Sequence, residues 1–331
     1  MTIKVNKSGL LTSIQDLGRY GSQKYGVIAS GAMDTLSHRI ANMLVGNSEN
    51  EAAVEMTMLG AHFEFQSDSM ISICGGDLSP ILNDRPAKMW RPLFVKKGSL
   101  LTFGGAKKGC RAYLAVAGGI EVPEVMGSKS TYLRAGIGGY EGRAIENGDI
   151  LSVGKMSEQS IKLHEALHDS ALYSEIEWSA SPEFIPFLRE DESVRVIKGR
   201  QFEDFSEESK SMIFSETFKI TPKSDRMGYR MEGPKLTLED KTEMISEAVS
   251  FGTIQVPADG NPIILLADRQ TTGGYPKIAQ VASVDLPYLA QFKPGEVVRF
   301  KEISLEEAQE LLIDRERRLH LLKQGMLLKL N

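Results

Sequence analysis

Residues 246–281 read SEAVSFGTIQVPADGNPIILLADRQTTGGYPKIAQV, and the reading of this stretch decides the fold. Its pattern predicts a strand over 249–256, a tight turn over 257–262, and a second strand over 263–267. The second strand is an unbroken apolar run, as a strand buried on both faces requires. It delivers Asp268, Arg269, Gln270, Thr271 and Thr272 together at its end. Gly273 and Gly274 then let the backbone turn before Tyr275, Pro276 and Lys277. An acid, a guanidinium, an amide, two hydroxyls, a phenol and an amine behind one buried strand mark the wall of a small-molecule site.

Outward from that stretch, the composition sets the frame. A chain of 331 residues is long enough for two domains, each with its own core. Its 41% hydrophobic and 25% charged residues are ordinary for a globular protein. A formal charge of −5 argues against nucleic acid or an anionic membrane surface as partner. Cys74 and Cys110 stand in no metal-ligand spacing and admit at most one disulfide. Residues 1–10 read as a short lysine-bearing strand rather than a signal peptide, and no apolar run approaches the ~20 residues of a membrane span. The expected setting is the cytoplasm.

Thirty-one glycines and recurring short β-branched or aromatic runs predict a mainly β chain with a few helices. A β-rich domain is expected over 1–156, a charged helical connector over 157–191, a β-barrel over 192–303 and a C-terminal helix over 304–331. That last helix opens on a capping box, Ser304 with Glu307. Near the N-terminus, Asp34 is a good N-cap for a helix ending at Gly46, with Leu36, Ile40, Met43 and Leu44 on its apolar face. Asp34, His38 and Asn42 follow one another at four-residue steps. They read as a cap and a solvated stripe, or else as the side of a helix N-terminus that, with Ser30, faces an anion or a carbonyl oxygen. The two halves of the chain also echo one another. Residues 81–86 (ILNDRP) parallel 265–270 (LLADRQ), and 97–103 (KGSLLTF) parallel 294–300 (PGEVVRF), the order a duplicated β-barrel would leave.

Other motifs carry less. His164 to His168 matches H-E-x-x-H, but it falls in the charged connector with no third ligand in view, so no metal site is expected. Residues 104–110 (GGAKKGC) lack the terminal G-K-[ST] of a phosphate loop. In 136–142 (GIGGYEG), Glu141 stands where a dinucleotide fingerprint needs its third glycine. No histidine lies within the Asp268 cluster, which leaves an acyl-enzyme mechanism without a base. Stronger is 224–233 (SDRMGYRMEG), where Arg226 and Arg230 flank Gly228 and are spaced to clamp a carboxylate or phosphate.

Several blocks, in order and over nearly the whole chain, resemble the biotin-dependent carboxyltransferase-like family. They are QDLGR (15–19), SGAMD (30–34), RIAN (39–42) with VGN (45–47), 224–233, GTIQVP (252–257), and DRQTTGGYP (268–276). Ala32 departs from the pattern where proline is common. The family includes the C subunit of bacterial 5-oxoprolinase, the sporulation regulator KipA, and the corresponding part of urea carboxylase. The resemblance implies tandem cyclophilin-like β-barrels in a hetero-oligomer with a B subunit (PxpB- or KipI-like) and an A subunit (PxpA-like). That assembly would couple ATP cleavage to the opening of 5-oxo-L-proline into L-glutamate. No cofactor is assigned to this chain itself, and Lys88 with only Met89 beside it is half of a biotin-acceptor motif.

On this reading Arg226 and Arg230, with Gly228 between them, hold the substrate carboxylate. Asp268 accepts from the amide N–H, and Lys277 and Tyr275 stabilise the oxyanion. Arg269, Gln270, Thr271, Thr272, Ser30, Asp34 and Asn42 complete the expected substrate-binding set. Two alternatives stay open: a KipA-like module that sequesters a kinase inhibitor, and a urea or amide carboxyltransferase working with a biotinylated partner.

Overall fold

The structure is a computed structural model that describes residues 1–168, 173–175, 178–240 and 244–329. It is mainly β, and its contacts divide into two compact units. The first comprises residues 1–19, 30–188 and 318–331, and the second residues 20–29 and 189–317. No shift in composition marks the excursion of 20–29 into the second unit.

Among the described residues, the strands of the first unit form two six-stranded sheets. At the centre of one lie Ser69–Asp77 and Lys108–Val116, paired antiparallel and almost wholly buried. Their side chains alternate between two cores, as the two-residue period of a strand dictates. Ile71, Ile73, Ala112, Leu114 and Val116 join Phe63, Phe65 and Leu101 of the other sheet. Met70, Cys74, Tyr113 and Ala115 turn the other way, onto Ile40, Ala41 and Leu44 of helix Thr35–Leu44. The unit is therefore sheet, sheet, helix, and both cysteines are buried and free.

Helix Thr35–Leu44 starts where expected, with the Asp34 carboxylate accepting from Ser37 N at 2.9 Å. The solvated stripe is corrected: Asp34, His38 and Asn42 are fully buried. A polar helix face can be buried when nearby backbone supplies its partners. Here His38 Nε2 lies 3.1 Å from Gln15 O, and Asn42 Nδ2 donates to Glu51 O at 2.8 Å. Helix Glu158–His168, which carries the H-E-x-x-H run, buries Leu163 in the same core. The His164 ring meets Phe94 edge-on at 5.2 Å, and the side chain of His168 lies outside the described residues.

A close backbone approach locks the first unit's loops. Gly31 has φ +96°, and a Cβ there would sit 2.9 Å from Gly18 Cα and N. Neither contact is with a side chain that could swing away. Gly31→Ala is thus expected to cost about 1–3 kcal/mol in chemical denaturation. A loss below a few tenths would show that the two loops can separate cheaply.

In the second unit seven strands close a barrel, in the order Val194–Lys198, Lys277–Val281, Thr253–Gln255, Ile263–Leu265, Gly228–Glu232, Thr217–Ile220 and Val297–Glu302. A parallel pairing of Val194 with Phe300 completes the ring. Val196, Phe218, Tyr229, Ile254, Ile264, Ile278 and Val298 are buried. The quoted stretch supplies three of the seven strands, two of them shorter than expected. Gly252, at φ +84°, interrupts the first, and Glu247–Ala248, just before it, pair outside the barrel with Thr272–Gly273. The third, Lys277–Val281, lies where a polar segment was expected to continue.

The echo between halves is structural in one of its two parts. Gly98 and Gly295 both take positive φ just before a strand, at +85° and +96°. In the other part, Asn83 and Asp84 form a tight hairpin turn with positive φ, whereas Asp268 is buried in the barrel wall. Helix Leu305–Lys329 begins as expected, with Glu307 N donating to Ser304 Oγ at 3.0 Å.

Candidate functional site

The barrel wall places the expected residues in three groups. The first is an ion pair. Strand Gly228–Glu232 runs antiparallel to Ile263–Leu265, and the pairing continues beyond Gly228 and Leu265, with Leu266 N donating to Met227 O and Asp268 N to Arg226 O, each at 2.9 Å. This register sets the two side chains beside each other. Arg226 Nε and Nη2 donate to Asp268 Oδ2 and Oδ1 at 2.9 and 3.1 Å, and both side chains are almost wholly buried. The expected two-arginine clamp is therefore divided. Arg226 gives two donors to the Asp268 carboxylate. Gly228 belongs to the same geometry, since a Cβ on it would lie 3.0 Å from Ile264 O.

The second group lines an open cleft of about 270 Å³ on the barrel. Arg230 and Tyr275 both face it, with Thr221, Lys223, Glu232, Asp259 and Asn261. Thr221 and Ile263 flank Arg230 on the neighbouring strands. Asp259 accepts from the backbone and side-chain nitrogens of Asn261, and the side-chain bond above all holds its carboxyl below the usual range. Sequence reasoning missed Lys223, Glu232 and Asp259. Their signal was the Pro-Ala-Asp-Gly-Asn-Pro turn and the alternation of Arg230 and Glu232 with buried Tyr229 and Met231.

The third group surrounds Lys277. One row of the barrel register runs from Arg230 to Ile263, Gln255 and Lys277. Three inter-strand steps of about 4.8 Å separate its ends. Between them, Gln255 Nε2 donates to Tyr275 O at 3.4 Å. Lys277 Nζ donates to Glu247 Oε2 at 2.8 Å, and Arg200 Nη1 donates to Glu247 Oε1 at the same distance. The hydrogen bond from Lys277 is the main reason that the Glu247 carboxyl titrates below its ordinary value. Arg269 turns to the carbonyls of Val249 and Leu266, and burial lowers its pKa. Gln270 and Thr272 are exposed, and Thr271 is half-buried with its carbonyl accepting from Val249 N.

Ser30, Asp34 and Asn42 belong to the first unit, where their polar atoms are engaged internally. Ser30 Oγ donates to Thr131 O at 2.8 Å, while Asp34 caps its helix through both the backbone nitrogen and the hydroxyl of Ser37. Around them lies a buried polar core that the sequence did not announce. Tyr113 donates to Glu55 at 2.7 Å and accepts from Asp34 N, and Asp16 accepts from Ser128, Ser130 and the backbone of Gly18 and Lys129. Fully buried Arg19 donates to Val125 O and Ser130 O.

Burial pushes the His38 imidazole below its ordinary pKa, against the opposing pull of the Gln15 carbonyl, Asp16 and Glu55. As pH falls below about 6.5 the unfolded chain takes up the proton first. His38's contribution is whole above that value and declines as pH drops toward the lower folded value. A slope of up to about 1.4 kcal/mol per pH unit is expected in that window, and His38→Gln should flatten it. An unchanged pH profile in the variant would contradict this assignment.

Two stretches of the chain bear a partial likeness to cofactor motifs. Residues 104–110 run directly into strand Lys108–Val116 instead of a helix N-terminus, so they do not fit an ATP phosphate cradle. Lys88 is exposed just beyond the hairpin strand Arg85–Pro86, with methionine on one side only, and does not fit a biotin acceptor. Among the described residues no group of three or more His, Cys, Asp or Glu is placed to hold a metal, and no helix is long and apolar enough to cross a membrane.

The pattern of the family described as carboxyltransferase domain, subdomain A and B, matches residues 25–302. The chain belongs to this family. It is 39% identical over 299 residues to the C subunit of 5-oxoprolinase from Haemophilus influenzae, covering 90% of both chains. Against the Escherichia coli protein of the same name it is 36% identical over 315 residues, covering 95% of this chain and 96% of that one. The crystal structure of Kluyveromyces lactis urea carboxylase superposes with a TM-score of 0.85 at 31% identity. The match covers 96% of this chain but only 28% of that one. This carboxyltransferase-family chain is thus similar over nine-tenths or more of its length to the two 5-oxoprolinase proteins, and to one portion of a larger enzyme.

Proposed function

We propose that the chain is the C subunit of a 5-oxoprolinase, active in opening 5-oxo-L-proline to L-glutamate only when assembled with A- and B-type subunits in the cytoplasm. What supports this reading is the near-complete reciprocal coverage of two proteins that bear that name. A urea-enzyme assignment has the weaker support, because the chain spans only 18% of the Lachancea kluyveri urea amidolyase that it resembles at 33% identity.

Within this reading the chemistry falls on the barrel's outer row. Lys277 and Tyr275 stabilise the oxyanion as the lactam carbon becomes tetrahedral, and Arg230 holds a carboxylate. Arg226 and Asp268 support them from beneath by fixing the strand ends. ATP is used elsewhere in the assembly.

Affinity purification of the tagged chain with its A- and B-type partners tests the assembly. Stable co-purification with all partners negative on an avidin blot is expected. A biotinylated partner would turn the reading toward a carboxyltransferase. Binding to the B-type partner alone, with no lactamase activity, would turn it toward a sequestering regulator.

A further inference from the structure

We propose that the barrel cleft is a binding site for an acidic α-amino acid, a ligand with two carboxylates and one ammonium. Several acids on the barrel are neutralised by neighbouring bases. Asp268 has Arg226, Glu247 has Lys277 and Arg200, and buried Asp285 has Arg189 and Arg195. The cleft's charges are placed otherwise, with Lys223, Arg230, Glu232 and Asp259 all exposed to solvent. Among the described residues, the side chains of Lys223, Arg230 and Glu232 make no hydrogen bond or ion pair, though all three line one hollow of about 270 Å³.

Thr221 stands in the wall beside these charges. Thr221 is 7% exposed, and its hydroxyl is buried with no hydrogen-bond partner among the described residues. Such orphans are uncommon in native structures.

The balance of charge selects the ligand. Two cations, Lys223 and Arg230, suit two carboxylates, with Arg230 able to engage one bidentately. Two acids, Glu232 and Asp259, suit an ammonium. A dicarboxylate lacking the amine offers neither acid a counter-charge. A lactam, whose nitrogen is neutral, does the same with one carboxylate fewer. The cleft therefore matches the opened amino acid better than the ring it comes from. Its assignment as the product-side subsite rests on the proposed function, whereas the match of charges stands without it.

Calorimetric titration of the isolated chain tests the proposal with L-glutamate, glutarate and 5-oxo-L-proline. L-Glutamate should bind saturably and at least about ten-fold more tightly than either of the others. Glu232→Gln should erase most of that preference over glutarate, and Arg230→Gln should weaken both dicarboxylates about ten-fold. No saturable glutamate binding, equal binding of glutarate or of the lactam, or indifference to both substitutions would overturn it. Lactamase activity of the assembled complex is a separate readout. Binding without activity would retain the cleft and remove the product-side assignment, whereas activity without binding would remove the cleft alone.

Discussion

Replacing Lys277 with methionine is expected to lower turnover of the assembled 5-oxoprolinase by about 10²–10³ while leaving the barrel folded, the loss typical of one oxyanion donor. The side chain is only 13% exposed, and its aliphatic stem lies in the wall of the barrel. Methionine keeps most of that packing and removes the charge. Glu247, which loses a partner, is one-third exposed and still held by Arg200 at 2.8 Å, so no isolated charge is left buried. The effect should therefore appear in kcat, with KM and the unfolding midpoint little changed. A KM effect alone would make Lys277 a binding group. Full activity would remove it from the chemistry.

The second large effect is on stability. Asp268→Asn is expected to destabilise the chain by about 3–5 kcal/mol, because buried Arg226 would lose the carboxylate that receives its Nε and Nη2. The two hydrogen bonds at 2.9 and 3.1 Å lie almost entirely out of solvent, so water cannot replace the lost carboxylate. Removing both partners should cost less than removing one. Arg226→Met with Asp268→Leu takes both charges out of the wall and is expected to recover much of the loss. Urea denaturation of the two single variants and the double variant reads this cycle. Equal losses in the single and double variants would mean that packing, rather than the lost carboxylate, sets the cost.

The ion pair shows what sequence could and could not deliver. That polar residues follow a buried strand at 268 was legible from the unbroken run before them. That the carboxylate would be spent on Arg226, 42 residues earlier, was not, because it depends on the register between two strands. The same limit governs His38 and Asn42. Their polarity pointed to solvent, yet the carbonyls of Gln15 and Glu51 reach them only once the first unit has folded. The cap at Asp34 was legible because capping is local, involving Ser37 three residues on. Strand Lys277–Val281 was missed although Ile278 and Ala279 are buried between half-buried Lys277 and Gln280. The reading of the stretch stopped at the turn that the paired glycines allow and assigned no strand beyond it. The cleft needed the turn at 257–262, the strand carrying Arg230, and Tyr275 brought together, and no spacing in the chain predicts that meeting.

The role of the whole chain is tested most directly by mixing the purified subunits and measuring ATP-dependent release of L-glutamate from 5-oxo-L-proline, with and without this polypeptide. Glutamate release is predicted to require it and to be restored when it is added back. Glutamate formation at the same rate in its absence would contradict the assignment.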